Sequence, residues 1–341
     1  MPSLSYSQRC EDLYLACCFE GRGDGFYIDV GAGHPVYDNV SFAFYLNGWR
    51  GITVEPNPDL ARLARSVRPR DRLHELLLGA TAGTATFYRV DDFHGLSTMY
   101  APLAVAAGSY FGKTSEPMPL PVTTLADLCR QHAPRAIDFL KVDVEGAEHD
   151  VLAGADFRRF RPRVVVVEAL APYTQVPAWD TWEPLLTTNG YRFALFDSLN
   201  RYYVADEAAH LVEVLQAAPA ACADHIKFRD LGPALDDARH PDHRLACLLQ
   251  QADMARLPLL AHEDIAARLT AAMPAAMLQC TATVAEVETL QKRLFEPPYE
   301  DCWGATFLPP EQITVHELYV RAVGTDRLRT ALGRIAASYA W

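Results

Sequence analysis

Two short apolar runs, each leading into an acid, carry the most informative chemistry of this chain. Residues 26–30 contain Asp29 and run into two closely spaced glycines, and residues 51–54 run into a glutamate. Glycines in such a turn let the backbone bend tightly towards a ligand, and an acid after the next strand can accept both hydroxyls of a ribose. The spacing of the two acids is close to the roughly 20 residues of dinucleotide folds. We therefore expect a nucleoside site made of Asp29, Gly31, Ala32, Gly33, Glu55 and Pro56, with Asp143 as a further contact to the cofactor.

The glycine motif is too short for a dinucleotide. A dinucleotide fingerprint needs a third glycine, and Val36 stands at that position. The chain also lacks the Gly-Lys-Ser/Thr loop that cradles phosphates. These features disfavour an NAD-dependent oxidoreductase and favour a nucleoside without phosphates, such as S-adenosylmethionine.

Further acids follow two later apolar runs. Asp143 and Glu145 come directly after residues 137–142, and Glu168 ends the next run. Because side chains alternate along a strand, Asp143 and Glu145 are expected to point to the same side. One of them could be the base that removes a proton from an alcohol, or all three could bind a divalent metal. The alternative is that the pair caps the helix that begins near residue 146.

Two other groups could take part in the chemistry. His34 follows the glycine turn, where its imidazole could serve as a base or could simply bond to loop backbone. Gln8, Glu11 and Asp12 could close over the cofactor or acceptor from an N-terminal helix, or they could serve only that helix's polarity and capping.

Composition narrows the class of protein. The chain has 341 residues, of which 50% are hydrophobic and 22% charged, which is typical of a globular protein of about two domains. A net charge of −12 argues against nucleic acid as a main partner. The start lacks the pattern of a signal peptide, and no apolar run reaches the roughly 20 residues of a membrane helix. The eight cysteines form no Cys-x-x-Cys pair, so we expect a reduced, cytoplasmic protein without a zinc site. Because no apolar run is long enough to span a bilayer, we also expect no membrane partner.

Alternating strand-like and helix-like runs predict an α/β fold with a parallel sheet. The predicted strands cover residues 26–30, 52–55, 73–78, 84–90, 137–142, 164–168, 191–196 and 201–204. The predicted helices of the same part cover residues 7–19, 41–46, 58–66 and 124–132. Residues 91–121 have little periodicity and several Gly and Pro, so a long loop is expected there.

Strand patterns are lost after about residue 206, where Ala and Leu recur at helical spacing. We place a boundary between residues 206 and 235 and predict two domains, residues 1–235 and an all-helical module of residues 236–341. The module is expected to pack on the first domain or to form a homodimer, and not to bind the cofactor.

Several separated motifs together resemble the FkbM-type methyltransferases. They are Ser7-Gln8, Glu11-Asp12, residues 28–35, residues 48–52 with Glu55-Pro56, residues 95–98, residues 140–148 and residues 196–204. The resemblance covers roughly residues 3–230. It implies a Rossmann-like class I fold with helices on both faces of the sheet. It also implies methyl transfer from S-adenosylmethionine to a hydroxyl of a sugar or a natural-product-like small molecule.

The chain departs from this family at two positions: Gly33 stands where members often carry Asn, and Ser198 where they often carry Gly.

Three hypotheses remain for the function of this chain. The first is an O-methyltransferase that uses Asp143, Glu145 or His34 as base. The second is the same reaction assisted by a divalent metal on Asp143, Glu145 and Glu168. The third is a non-catalytic nucleoside-binding scaffold protein.

Overall fold

The chain divides into two units in the computed structural model, which describes residues 3–90, 94–133, 136–294 and 312–339. The first unit comprises Met1–Arg65 and Pro69–Phe228, and the second comprises Ser66–Arg68 and Arg229–Trp341. The division between Phe228 and Arg229 falls inside the predicted boundary region. Separate roles for residues 1–235 and 236–341 stay a prediction.

The first unit alternates strands and helices along the chain. Its strands are β1 Ser3–Ser5, β2 Phe26–Val30, β3 Arg50–Val54, β4 Arg72–His74, β5 Leu77–Leu78, β6 Gly83–Val90, β7 Ser115–Thr123, β8 Ile137–Val142, β9 Pro162–Glu168, β10 Tyr191–Phe196, β11 Asn200–Ala205 and β12 His225–Lys227. Its helices are α1 Glu11–Cys18, α2 Phe42–Leu46, α3 Pro58–Val67, α4 Ala101–Phe111, α5 Leu125–His132, α6 Glu148–Ala153, α7 Glu183–Thr187 and α8 Leu211–Ala221.

Seven strands form the main sheet in the order β10-β11-β9-β8-β2-β3-β4. Neighbouring strands are parallel except for the two pairs made by β11, which is antiparallel to both β10 and β9. The chain proceeds from β2 to β3 on one side and later places β8 on the other side of β2. The carboxyl ends of β2 and β8 therefore form the switch point at which open α/β sheets bind ligands. The predicted Rossmann-like sheet is confirmed.

Helices cover both faces of this sheet, because successive side chains of its buried strands point to opposite faces. One face packs Ile28, Val30, Leu140 and Val142 against residues of α5, α6 and α7. The opposite face packs residues such as Tyr27 against residues of α1, α2 and α8. Both layers are apolar, so charged groups within the central strands stand out as exceptions.

The predicted long loop of residues 91–121 is wrong in its described part. Residues 94–96 form a short 3-10 helix, α4 follows, and β7 lies in the middle of a three-stranded sheet of order β5-β7-β6. Pro117, Pro119 and Pro121 hide β7 in the sequence, because proline is rare inside strands. The three prolines share one parity while β7 pairs with β6 along its length, so their missing N–H donors point away from β6.

Two further strand predictions need correction. The single strand predicted at residues 73–78 is two strands, of which β4 joins the main sheet and β5 joins the small one. Strands also recur after residue 206, because β12 pairs in parallel with β1.

The second unit is built mainly from helices. They are α9 His243–Leu248, α10 His262–Thr270, α11 Ala275–Leu278, α12 Val284–Leu294, α13 Val315–Val323 and α14 Asp326–Ala337. Apolar side chains of these helices form a core of their own. The buried Asp242 accepts two hydrogen bonds from Arg334, both 2.7 Å long. Across the described residues of both units, no helix combines the length and apolarity that crossing a bilayer requires.

Candidate active site

The turn after β2 lies at the switch point and depends on glycine. Gly31 has φ 72°, and its N–H donates to the carbonyl of Val54 at 3.0 Å. A Cβ at Gly31 would lie 1.7 Å from the carbonyl oxygen of Asp143, so a side chain there would separate the turns after β2 and β8. Gly33 has φ 61°, but a Cβ there would meet no atom within 4 Å. The bend expected from these glycines is observed, and Gly31 is the position with no room for a side chain.

Glu55 joins the end of β3 to this turn. One carboxylate oxygen accepts the N–H of Gly33 at 2.7 Å, and the other accepts the N–H of Asn57 at 2.8 Å. Burial raises the pKa of Glu55 to about 7. Ala32 is buried beside it and Pro56 is half-buried. Each carboxylate oxygen can accept more than one hydrogen bond, so contact with a ribose stays a prediction for Glu55.

Asp29 supports the turn through a chain of polar side chains. It is 1% exposed, and its Oδ2 accepts a hydrogen bond from Ser41 at 2.6 Å. Ser41 in turn lies 3.1 Å from Asn39 Oδ1, and Asn39 donates to the carbonyls of Ala32 at 2.9 Å and His34 at 3.1 Å. Asn39 and Ser41 were not singled out from the sequence. Their role depends on a return of the chain that no local pattern reveals.

Lys141 lies opposite Asp29 in the pairing of β2 with β8. Its Nζ donates to the carbonyl of Gly31 at 3.0 Å and lies 3.2 Å from Asp143 Oδ2 and 3.8 Å from Asp29 Oδ1. Burial by itself would lower the pKa of Lys141, but the carboxylates of Asp143 and Asp29 outweigh burial and raise it above its usual value. The signal for this residue is present in the sequence, because Lys141 interrupts an otherwise apolar strand end.

Asp143, Glu145 and Glu168 meet at the carboxyl ends of β8 and β9. One carboxylate oxygen from each lies within 4.8 Å of the others. Burial and the neighbouring Asp143 carboxylate raise the pKa of both Glu145 and Glu168 well above the usual value. Within the described residues, Glu168 Oε2 is buried without a hydrogen-bond partner. The sequence-based expectation that these acids share a site therefore matches their positions, and their catalytic or metal-binding roles stay predictions.

Glu148, the first residue of α6, ties the turn after β8 to that helix. Glu148 Oε1 accepts the N–H groups of Val144 at 3.1 Å and Gly146 at 3.2 Å. Burial raises the pKa of Glu148 to about 7. The N-cap residue of α6 is Ala147, and no side chain caps the helix there by a hydrogen bond, so capping does not explain Asp143 and Glu145.

His34 is buried and bonds to the loop that follows it. Its Nδ1 accepts the N–H groups of Val36 at 3.2 Å and Tyr37 at 3.0 Å. This is the backbone-bonded alternative considered for His34. With Nδ1 as the acceptor, the proton of the neutral ring lies on Nε2, so His34 could act as a base only after giving up these two bonds, and that role stays a prediction.

The segment between β6 and β8 forms one wall beside the acids. Thr98 Oγ1 donates to the carbonyl of Glu145 at 2.9 Å, which holds Glu145 at φ 52°. Tyr173 donates its hydroxyl to the carbonyl of Leu96 at 3.1 Å. Burial, with Glu145 and Glu168 nearby, raises the pKa of Tyr173 to about 12. The hydroxyl of Tyr173 therefore stays protonated beside the acids.

Helix α4 adds an apolar part to this wall. A Cβ at Gly146 would lie 3.1 Å from Leu103 and 3.6 Å from Tyr100, so both side chains border the turn after β8. Val105 is 69% exposed and Tyr110 is 74% exposed. The long loop predicted for residues 91–121 is thus replaced, in the described part of this segment, by a helix with exposed apolar side chains.

The N-terminal acids serve the local structure. Asp12 accepts hydrogen bonds from Ser5 Oγ at 2.6 Å, Ser7 Oγ at 2.7 Å and the N–H of Tyr6 at 2.7 Å. Glu11 Oε1 accepts the side-chain amide of Asn200 at 2.8 Å. The exposed side chain of Gln8 lies outside this network. Of the two alternatives for these residues, the contacts favour the structural one.

The sheet order and the acids at its carboxyl edge define a Rossmann-like α/β protein with a candidate ligand site at the switch point. Residues 29–193 match the family model described as the methyltransferase FkbM domain. The predicted FkbM resemblance is confirmed over this range, which lies within the first unit.

Other comparisons add little. The chain is similar to a TehB-like SAM-dependent methyltransferase from Corynebacterium glutamicum, with 12% identity over 57% of this chain and 87% of that chain and a TM-score of 0.32. At this TM-score the likeness does not by itself establish a shared fold. No curated protein matches the chain.

Proposed function

We propose that this protein is an S-adenosylmethionine-dependent O-methyltransferase that acts on a hydroxyl of a sugar or a natural-product-like small molecule. The observation that carries the proposal is the turn at Gly31, where the backbone after β2 touches the backbone of Asp143. This turn lies within the residues matched by the methyltransferase family model. It brings the glycine turn after β2 next to Asp143, which belongs to a cluster of acids with Glu145 and Glu168.

The chain's residues fit the cofactor in several ways. Gly31 lets the turns after β2 and β8 touch, and the backbone at Gly33 is open, because a Cβ there would meet no atom within 4 Å. Glu55 would accept the ribose hydroxyls, and Asp29, Ala32, Gly33 and Pro56 would shape the remaining contacts. When bound, the cofactor supplies a methyl group activated on a positively charged sulfonium. A site lined by carboxylates favours such a cation.

The acid cluster would serve the acceptor. An alcohol loses its proton as the new bond forms, so a base within hydrogen-bond reach is required. Glu145 suits this task because burial and Asp143 raise its pKa, which makes it a stronger base than an exposed glutamate. Asp143 and His34 remain the other candidates.

A metal-assisted version of the same reaction is the second candidate. It is favoured by the carboxylate oxygens of Asp143, Glu145 and Glu168, which lie within 4.8 Å of one another. Oxygen ligands of this kind suit Mg²⁺ or Ca²⁺. Loss of turnover in EDTA, restored by Mg²⁺, would favour the metal. Full turnover in EDTA would favour the base.

The decisive experiment is isothermal titration calorimetry of the protein with S-adenosylhomocysteine and, separately, with NAD. We expect micromolar-range binding of S-adenosylhomocysteine and none of NAD. Glu55→Ala should weaken S-adenosylhomocysteine binding by about 1–3 kcal/mol, because a ribose contact is lost. The control is Glu207→Ala, which removes an exposed carboxylate paired with Arg161.

Unchanged affinity in Glu55→Ala would contradict the ribose assignment. Binding of NAD in preference to S-adenosylhomocysteine would contradict the proposed function. Binding without turnover on any hydroxyl acceptor would favour the third candidate, a nucleoside-binding scaffold. A cytoplasmic location and a homodimer through residues 236–341 stay predictions.

A further inference from the structure

Lys141 is a buried cation within the carboxyl half of β8. Its side chain is 9% exposed. An ammonium is costly to bury unless oxygens compensate for the lost water. Its Nζ lies 3.0 Å from the carbonyl oxygen of Gly31, 3.2 Å from Asp143 Oδ2 and 3.8 Å from Asp29 Oδ1. Oxygens from separate segments of the chain therefore meet at a single nitrogen.

These oxygens belong to the two turns that form the candidate site. Gly31 lies in the turn after β2, and Asp143 begins the turn after β8. Asp29 stands opposite Lys141 in the β2–β8 pairing. Because the strand register sets where the ammonium lies, Lys141 connects both turns to the rigid centre of the sheet.

We propose that Lys141 is a positioning residue for the cofactor, which holds the turn at Gly31 and the carboxylate of Asp143 at a fixed separation. This inference rests on the proposed function, because it assigns those two turns to S-adenosylmethionine. Without the ammonium, the Gly31 carbonyl loses a donor and the carboxylates of Asp29 and Asp143 repel each other. The cradle would then have to be ordered by the ligand, and the cost of ordering lowers affinity.

A different account of Lys141 is charge compensation alone. Arginine distinguishes the two accounts, because it keeps the positive charge but presents a larger planar group that cannot take the place of a compact ammonium. If Lys141 only compensates charge, the Lys141→Arg protein should keep both the stability and the cofactor affinity of the wild type. If Lys141 positions the two turns, the Lys141→Arg protein should keep the stability of the wild type but lose cofactor affinity.

The test measures thermal unfolding and S-adenosylhomocysteine binding by calorimetry for the wild-type protein, Lys141→Arg and Lys141→Met. We expect Lys141→Arg to melt within about 3 °C of wild type and to bind S-adenosylhomocysteine at least tenfold more weakly. Lys141→Met should lose both stability and affinity. An affinity of Lys141→Arg within twofold of wild type would overturn the proposal.

The matched control is Asp138→Asn, which changes another buried charge of the same strand. Asp138 accepts the N–H of Phe26 at 2.9 Å and pairs with Arg22, at the opposite end of β8 from the site. It should lower the melting temperature and leave the affinity unchanged. Equal loss of affinity in Asp138→Asn and Lys141→Arg would show general loosening of β8 and would also overturn the proposal.

The same measurements distinguish failure of the proposed function from failure of the role of Lys141. A wild-type protein that does not bind S-adenosylhomocysteine contradicts the proposed function, whatever the variants do. A wild-type protein that binds it, with unchanged affinity in Lys141→Arg, contradicts only the role of Lys141.

Discussion

Two groups of buried acids in the first unit differ in how their oxygens are satisfied. In the N-terminal group, Asp12 accepts from two hydroxyls and from the N–H groups of Tyr6 and Leu13. At the carboxyl edge of the sheet, Asp29 Oδ1 and Glu168 Oε2 are buried without a hydrogen-bond partner within the described residues. The carboxylate of Asp12 in the first group therefore receives its hydrogen bonds from the folded chain itself. The second is left with unused acceptors and with mutual repulsion, which Lys141 offsets only in part from 3.2 Å of Asp143 Oδ2 and 3.8 Å of Asp29 Oδ1.

This is the difference expected between acids that stabilise the fold and acids whose hydrogen bonds a ligand would complete. Unsatisfied buried acceptors cost about 1–3 kcal/mol each, so a chain retains them where something else compensates. Both groups follow strands or begin helices and look alike in the sequence. Only the count of donors around each carboxylate distinguishes them.

The largest expected effect is the loss of stability in Asp12→Ala. Several buried donors would lose their acceptor, so the free energy of unfolding should fall by roughly 3–5 kcal/mol. Urea denaturation measures this change. Affinity for S-adenosylhomocysteine should stay within about twofold in the protein that remains folded. Weaker binding with unchanged stability would place Asp12 with the site acids instead.

Glu145→Gln should show the opposite behaviour. Loss of the base should lower methyl transfer by roughly a hundredfold or more, while cofactor affinity and stability stay nearly unchanged. The measurement is S-adenosylhomocysteine formation with a panel of hydroxyl acceptors, alongside Asp143→Asn and His34→Asn. Full turnover in all three variants would move the base outside this group of residues.

Glu55 belongs to neither group cleanly, because its oxygens are bonded yet lie at the site. Burial raises its pKa to about 7, so the carboxyl is neutral below that pH and ionised above it. Since the ionised form accepts ribose hydroxyls better, S-adenosylhomocysteine affinity should fall by about tenfold between pH 8 and pH 6. Calorimetry across this range checks the expectation. The slope should vanish in Glu55→Gln, and a slope that persists there would assign it to another group.

The smallest expected effect is a gain of stability in Glu168→Gln. Removing one charge from the cluster should raise the free energy of unfolding by about 1 kcal/mol, because repulsion with Asp143 and Glu145 is relieved. The paired variant is Glu11→Gln, whose oxygens accept from Arg9 and Asn200. The NH₂ group of a glutamine at position 11 would face the N–H of Arg9 or the side-chain NH₂ of Asn200, so the free energy of unfolding should fall. Equal signs in the two variants would remove the distinction between the groups.

Much of the site could be predicted from local pattern. Apolar runs marked the central strands, and the carboxyl ends of parallel strands must meet at one edge, which brought Asp143 and Glu168 together in advance. Lys141 could not be placed in this way. Its partners are Asp29 in β2 and the carbonyl of Gly31, and both contacts follow from the β2–β8 register, which a single sequence does not reveal.

The wrong predictions of secondary structure at α4 and β7 also have local causes in the sequence. Helix α4 carries no charged residue, so its pattern lacks the polar face of a surface helix. Strand β7 contains alternate prolines, which argue against a strand unless pairing is needed on one side only. The structure comes close to that arrangement, because β6 pairs along nearly all of β7 while β5 pairs only with its end, at Val122 and Thr123.

The prolines of β7 also protect the protein from its neighbours. A strand whose outer edge offers a row of free N–H donors invites another chain to extend the sheet, which is a common start of aggregation. Pro117, Pro119 and Pro121 remove those donors at every second position along the edge that faces away from β6. Outside the short pairing of β5 with Val122 and Thr123, this edge therefore offers few donors to which a second copy of the chain could pair.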